Sequence, residues 1–241
     1  VPNENLTEII FCLDRSGSMV STRSDAEGGF NQFIADQRRD QNGECRVTLC
    51  QFDSDGYETV LECVPLDSVP PLRLEPRGNT PLLDAMGRTI QETGKRLANT
   101  PENQRPGQVI VVFITDGQEN CSRTYNKRQI EEMVQHQEQK YLWRFVYLGS
   151  NQDAIHEATN LGFTAHNAMS YGANAKGTRG AYSSLSDNVS KLRRMKSGGV
   201  EQIAALNTAM FTPQDYAYQT EEAGVDASIN RIVQGTSSKS N

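Results

Sequence analysis

Asp14, Ser16 and Ser18 stand at alternate positions just past an apolar run, Ile9 to Leu13, that reads as a buried strand. Alternate residues of a turning loop can aim their side-chain oxygens at one point. A carboxylate and two hydroxyls converging there suit a small hard cation such as Mg²⁺, which takes oxygen ligands. The same Asp-x-Ser-x-Ser spacing also describes an ordinary turn with a helix cap. Two distant stretches bear on that choice. Thr80 lies in the Pro/Gly loop Pro76-Arg77-Gly78-Asn79-Thr80-Pro81, which opens a helix. Asp116 follows a second buried strand, Val109 to Ile114. The chain thus offers three neutral hydroxyls and two acids, each at the end or start of a regular element.

These three parts, in this order, resemble the metal-ion-dependent adhesion site of von Willebrand factor A domains. That site is built from Asp-x-Ser-x-Ser, a distant Thr and a distant Asp. The matching positions are Asp14, Ser16, Ser18, Thr80 and Asp116. The resemblance covers residues 6 to 165. The run Asp14-Arg15-Ser16-Gly17-Ser18-Met19, with Thr115-Asp116-Gly117-Gln118-Glu119-Asn120 later, is most similar to stand-alone A domains of bacteria and their phages. The resemblance implies that Ser16, Ser18 and Thr80 ligate the ion directly while the aspartates act largely through water. It implies Mg²⁺ as the ion, with Mn²⁺ or Ca²⁺ as substitutes. It also implies that an Asp or Glu of a partner protein completes the coordination sphere.

The elements that must hold these residues alternate between strand and helix. Glu8 to Leu13 reads as the first strand. Ser24-Asp25-Ala26-Glu27 reads as a helix start, with Phe30, Phe33 and Ile34 at helical spacing. Cys45 to Phe52 and Thr59 to Val64 are strands joined by the tight turn Asp53 to Gly56, so they pair antiparallel. A Pro-rich connection, 67–76, leads to the helix after Thr80. Asn126 caps a further helix, Trp143 to Leu148 is a strand, and Asp153 caps a short helix that Gly162 stops. Phe163 to His166 reads as a last edge strand. The pattern predicts a Rossmann-like three-layer α/β/α sandwich with a mostly parallel sheet and one antiparallel edge strand. In such sheets ligands bind beyond the carboxyl ends of the strands, where strand order reverses. The resemblance implies that the strands ending in Asp14 and Asp116 are neighbours at that reversal.

The expected division is an A domain over residues 1–168 and a C-terminal extension over 169–241. In the extension, 181–196 reads as a helix with a basic end, Ile203 to Leu206 as a further turn or two, and Gly235 to Asn241 as a disordered tail.

The chain has 241 residues and a net charge of −6, which argues against nucleic acid or an acidic membrane as partner. No apolar run approaches the roughly 20 residues needed to span a bilayer. No secretory signal is visible at the start. The five cysteines are odd in number and form no Cys-x-x-Cys pair, so a reducing cytoplasm is expected. Several tempting residues have plainer expected roles. Arg15 is expected to point to solvent. Asp53, Asp55, Glu119 and Asn120 read as exposed turn residues, and Asn151 with Asp153 as turn and cap. His136, His156 and His166 share no metal spacing. Lys191 to Lys196 reads as one solvated helix face.

Enzymatic readings fail on residue type. A phosphoaspartyl transferase would want an acid where Ser16 stands, and no Gly-x-Ser-x-Gly elbow, Walker loop or dinucleotide fingerprint occurs. The function that the resemblance implies is a non-catalytic, metal-dependent protein-binding module, serving as adaptor of a bacterial or phage assembly. The alternative is a structural or oligomerising protein whose metal only stabilises the fold. Oligomeric state is open.

Overall fold

A computed structural model describes residues 1–150, 153–197 and 209–229. The expected turn at Asn151, the segment Ile203–Leu206 and the tail Gly235–Asn241 lie outside the described residues.

Six strands form one sheet: β1 (Asn3–Asp14), β2 (Glu44–Asp53), β3 (Gly56–Pro65), β4 (Pro106–Thr115), β5 (Arg144–Ser150) and β6 (Ala168–Tyr171). Their order is β3-β2-β1-β4-β5-β6. Only β3 runs antiparallel, forming a hairpin with β2 at one edge; every other pairing is parallel. The two-residue connection after Asp53 leaves no room for a crossover, which forces that geometry. The helices are α1 (Arg23–Arg39), α2 (Leu82–Asn99), α3 (Lys127–Tyr141), α4 (Ala154–Thr159), α5 (Ala175–Ser197) and α6 (Pro213–Glu221). Among them no helix is long and apolar enough to cross a membrane.

β1 is buried on both faces, so its side chains divide between two helical layers. Phe11 sits edge-on to Phe30 and Phe33 of α1, with ring centroids 5.1 Å apart in each case. Cys12 points the other way, toward Thr89 of α2. The layers are thus α1 with α5 on one face and α2 with α3 on the other. β4 is apolar throughout Val109–Ile114 because it lies centrally, between β1 and β5.

Three local expectations change. α1 begins at Arg23, so Ser24 lies inside the helix and is not its cap. A short 3₁₀ turn, Gly17–Val20, brings the chain into the helix earlier. Glu27, expected to serve that cap, accepts instead from the backbone N–H of Leu74 at 2.8 Å. It thereby pins the Pro-rich connection, whose Leu72 and Leu74 are buried. The last edge strand is Ala168–Tyr171 rather than Phe163–His166. Phe163 is drawn into an aromatic cluster with Phe113, Phe145 and Tyr147, and a 3₁₀ turn at Ala165–Asn167 follows before pairing starts.

The division expected at residue 168 falls on the first residue of β6. Beyond it, α5 lies along α1, where Tyr182 packs on Gly29 so closely that any side chain there would collide with the ring. The basic face expected at 191–196 is split. Arg193 is buried and donates to Gln37 O, Asp40 O and Gly43 O at 3.1 to 3.2 Å, closing the C-terminal end of α1, while Lys191 and Arg194 are exposed.

Candidate metal centre

β1 and β4 are adjacent and parallel, with Leu13 opposite Ile114. The chain leaves β1 toward β2 on one side, and leaves β4 toward β5 on the other. This is the point of strand-order reversal, and Asp14 and Asp116 emerge at its carboxyl end.

Asp14 is fully buried. One of its oxygens accepts the Ser16 backbone N–H at 2.7 Å, and the other accepts the Thr115 hydroxyl at 2.6 Å. Burial raises its pKa to about 6; these hydrogen bonds pull the other way, and the neighbouring Asp116 adds to the rise. Ser16 and Ser18 bring their hydroxyl oxygens to 2.9 Å of each other. Ser18 donates to Asp116 at 2.5 Å, and Thr22 reaches the other Asp116 oxygen at 3.2 Å. Burial raises the pKa of Asp116 as well, against the hydrogen bonds from Ser18 and Thr22.

Thr80 joins this group from a third loop. The first turn of α2 is capped by other residues, Glu119 on the Leu83 N–H at 2.9 Å and Ser122 on the Asp84 N–H at 3.0 Å. The Thr80 hydroxyl is therefore not consumed as a cap. Asn120 holds the Thr80 backbone from both sides, by Asn120 Oδ1 on its N–H at 3.0 Å and by the Asn120 N–H on its carbonyl at 3.2 Å.

Gly117 marks the centre. A Cβ added there would lie 2.8 Å from Thr80 Oγ1, 3.3 Å from Ser18 Oγ and 3.6 Å from Asp14 Oδ2. Oxygens of the loop after β1 and of the Thr80 loop thus line a space beside the Asp116–Gly117 turn that one methyl group would fill. All five residues singled out in the sequence are brought together around it. Three neutral hydroxyls and two carboxylates form a hard, all-oxygen donor set that fits a small divalent cation. Among the described residues no cluster of three His, Cys, Asp or Glu side chains forms an alternative metal site. His136 and His156 are exposed on α3 and α4.

Arg15 departs from expectation. It is buried, and its guanidinium donates to Asp53 at 2.6 Å, Glu58 at 2.8 Å and Gln51 at 3.3 Å. Asp53 is buried too, and also takes Arg77 at 3.1 Å and the N–H groups of Asp55 and Gly56. Only Asp55 remains the exposed turn residue expected of the pair. The backbone adds to the tie: Arg77 N–H donates to Arg15 O at 2.8 Å, and Gly17 N–H to Gly78 O at 3.0 Å. Gly78 has φ +65°, a backbone conformation that favours glycine. The Ser16/Ser18 loop and the Thr80 loop are thereby fixed to each other and to the β2–β3 turn. Sequence reasoning missed this clamp, and also Thr115 and Thr22, which orient the acids; Asn120 is exposed as expected, while Glu119, expected in an exposed turn, is half-buried and caps α2. Their one sequence signal is position, at the carboxyl ends of strands and in the adjoining loops.

No protein-family model matches the sequence, and no curated protein matches it. Solved structures do share the fold. Proximal thread matrix protein 1 from the mussel byssus matches over 78% of this chain and 46% of its own, with 16% identity and a TM-score of 0.53. The D319A mutant of the PilB minor pilin from Streptococcus sanguinis matches over 80% and 63%, with 11% identity and a TM-score of 0.55. The pilus adhesin SpaC from Lactobacillus rhamnosus GG matches over 77% and 30%, with 11% identity and a TM-score of 0.57. The fold they share with this chain is the Rossmann-like α/β sandwich, with a mostly parallel sheet and one antiparallel edge strand. The chain spans less than two thirds of the length of each of these proteins.

Proposed function

We propose that this A-type domain is a non-catalytic protein-binding module that grips an acidic residue of a partner through Mg²⁺. The observation that carries the reading is the convergence of Asp14, Ser16, Ser18, Thr80 and Asp116 around Gly117. Ser16, Ser18 and Thr80 would hold the ion, with Asp14 and Asp116 balancing its charge. Neutral direct ligands leave a bound ion much of its positive charge, which attracts a carboxylate from outside. Ser18 is exposed and Asp116 half-buried, so the group opens to solvent on that side. Asp14, Ser16 and Thr80 form its buried floor. Names among the fold relatives, a pilus adhesin and a thread matrix protein, support a binding role over an enzymatic one. Five unpaired thiols support a reducing, cytoplasmic setting, and an acidic chain supports a protein partner over nucleic acid. Membership of the stand-alone bacterial or phage group, and service as adaptor in a larger assembly, complete the proposal.

The test is calorimetric titration of Mg²⁺ and Mn²⁺ into metal-stripped protein, beside a Ser16→Ala/Ser18→Ala variant, with and without acetate as a minimal carboxylate. Saturable binding at one site, lost in the variant and strengthened by acetate, is expected. Absence of binding in the wild type under both conditions refutes the metal site. Partner capture in Mg²⁺ that survives chelator refutes the metal-bridged mode, and self-association indifferent to chelator favours a structural protein instead.

A further inference from the structure

A second concave site lies on the α2/α3 face, at the opposite end of the sheet from Asp14. It is a groove of about 710 Å³, within the range of small-molecule sites. Ile90, Gly94 and Leu97 recur at helical spacing along the α2 wall, with Met133 and Gln137 opposite them on α3. Val109 and Trp143 add further buried apolar lining. Gly94 keeps the α2 wall low: a Cβ there would meet nothing closer than Gln137 Nε2 at 3.8 Å.

The charge around this groove is one-sided. The chain carries 30 acids against 24 Lys and Arg, yet no Asp or Glu lines the groove. Lys95, Arg105 and Lys140 do, with His136 beside them. Among the described residues none of these three cations forms an ion pair. Lys140 lies instead 5.4 Å from the ring of Tyr141, which is half exposed at the same rim. On the α3 wall, Gln137 Oε1 is buried, and among the described residues it has no hydrogen-bond partner. A buried amide oxygen left unpaired is costly, which marks a polar spot on an otherwise apolar wall.

We infer that this groove binds an apolar carboxylate, with its hydrocarbon body between α2 and α3 and its head at the Lys95–Lys140 rim. The apolar walls supply burial, and the cations supply charge-assisted hydrogen bonds to the head. Gln137 Nε2, on the side that faces Gly94, adds its N–H groups to the polar lining. The volume suits one small amphiphile rather than a standard protein interface, which buries about 800 Å² on each partner. The inference is independent of the metal centre, since it shares no residue with it.

Trp143 is the chain's only tryptophan, so its fluorescence reports on the groove alone. The probes are decanoate, decanol and decyltrimethylammonium, titrated into the full chain below their micelle concentrations, with calorimetry in parallel. Decanoate is expected to bind saturably and at least tenfold tighter than decanol, with the cationic probe weakest. Lys95→Glu/Lys140→Glu changes two exposed side chains and is expected to weaken decanoate at least tenfold while leaving decanol unchanged. Gly94→Met, whose side chain projects into the groove, is expected to abolish binding of both. Circular dichroism and thermal midpoints check that both variants fold. The inference is overturned if decanoate gives no saturable signal by either method, if decanol binds equally well, or if the charge-reversed protein binds decanoate unchanged.

Discussion

Replacing Asp14 by Asn is predicted to stabilise the metal-free protein while ending its response to Mg²⁺. Asp14 is fully buried, and its pKa rises from 3.8 to about 6 on burial. Between those values the folded chain holds a proton that the unfolded chain has released. Folding is therefore favoured at acid pH, and the penalty grows as pH rises, reaching its full size above about pH 6. A rise of this size corresponds to roughly 3 kcal/mol at neutral pH. Asn removes the charge but must live among the same partners. Ser16 N–H still finds an amide oxygen. The Thr115 hydroxyl, which now donates to Asp14, can turn its proton to Gly117 O at 2.9 Å and accept from the new amide. Allowing about 1 kcal/mol for the poorer hydrogen bonding leaves a net gain of roughly 2 kcal/mol at pH 7. Urea unfolding in chelator at pH 7 and pH 4 measures it. The gain is expected at pH 7 and absent at pH 4, where wild-type Asp14 is protonated. Adding Mg²⁺ is expected to raise the wild-type midpoint and leave the variant's in place. A variant less stable than wild type at pH 7 in chelator, or equally responsive to Mg²⁺, would refute the reasoning.

Gly117→Ala places a methyl group 2.8 Å from Thr80 Oγ1, so calorimetry is expected to show at least a tenfold loss of Mg²⁺ affinity with an unchanged circular dichroism spectrum. Arg15→Met strips the buried Asp53 of its nearest cation and leaves only the half-exposed Arg77; urea unfolding is expected to show a loss of about 3 kcal/mol, the lower end for breaking a buried pair. Gly29→Leu drives a side chain into the ring of Tyr182 and is expected to detach α5 from α1, seen as faster amide exchange along α5 and reversed in part by Tyr182→Ala. Thiol titration of the native chain is expected to find Cys63 and Cys121 reacting first and the buried Cys12, Cys45 and Cys50 only on unfolding.

The sequence is most legible where one residue's role depends on its own neighbourhood. Apolar runs ending in acids located β1 and β4, and the short turn after Asp53 dictated the antiparallel edge. The Asn126 and Asp153 caps form as read, each accepting a backbone N–H three residues on at 3.0 Å. The reading fails where burial is decided by distant partners. Nothing near Arg15 announces Asp53, 38 residues away, so solvent was the natural expectation for a charged side chain. Arg193 is hidden in the same way, beneath carbonyls some 150 residues earlier. The helix expected over 181–196 starts earlier, at Ala175, in a stretch whose Gly, Ala and Asn residues give no helical spacing. Its small residues serve close approach: Gly180 lies under the ring of Tyr218. Such contacts leave no periodic trace in the chain.

In the proposed reading, the burial of Arg15 also explains why Asp14 would call on an ion. Asp14 has a guanidinium as its next neighbour in sequence, and a salt bridge between them would have held its pKa low and satisfied its charge from within. The fold forbids this. Successive residues at the end of β1 face opposite ways, and Arg15 is committed to Asp53, Glu58 and Gln51. What acts on Asp14 instead is burial and the nearby Asp116, both of which raise its pKa. Two acids are thus held together with hydroxyl donors and, among the described residues, no cation of the chain's own. In the proposed reading, a divalent ion supplies the charge that Arg15 is turned away from supplying. Because that ion comes from solution, it can carry an open coordination position to a partner, which a buried guanidinium cannot.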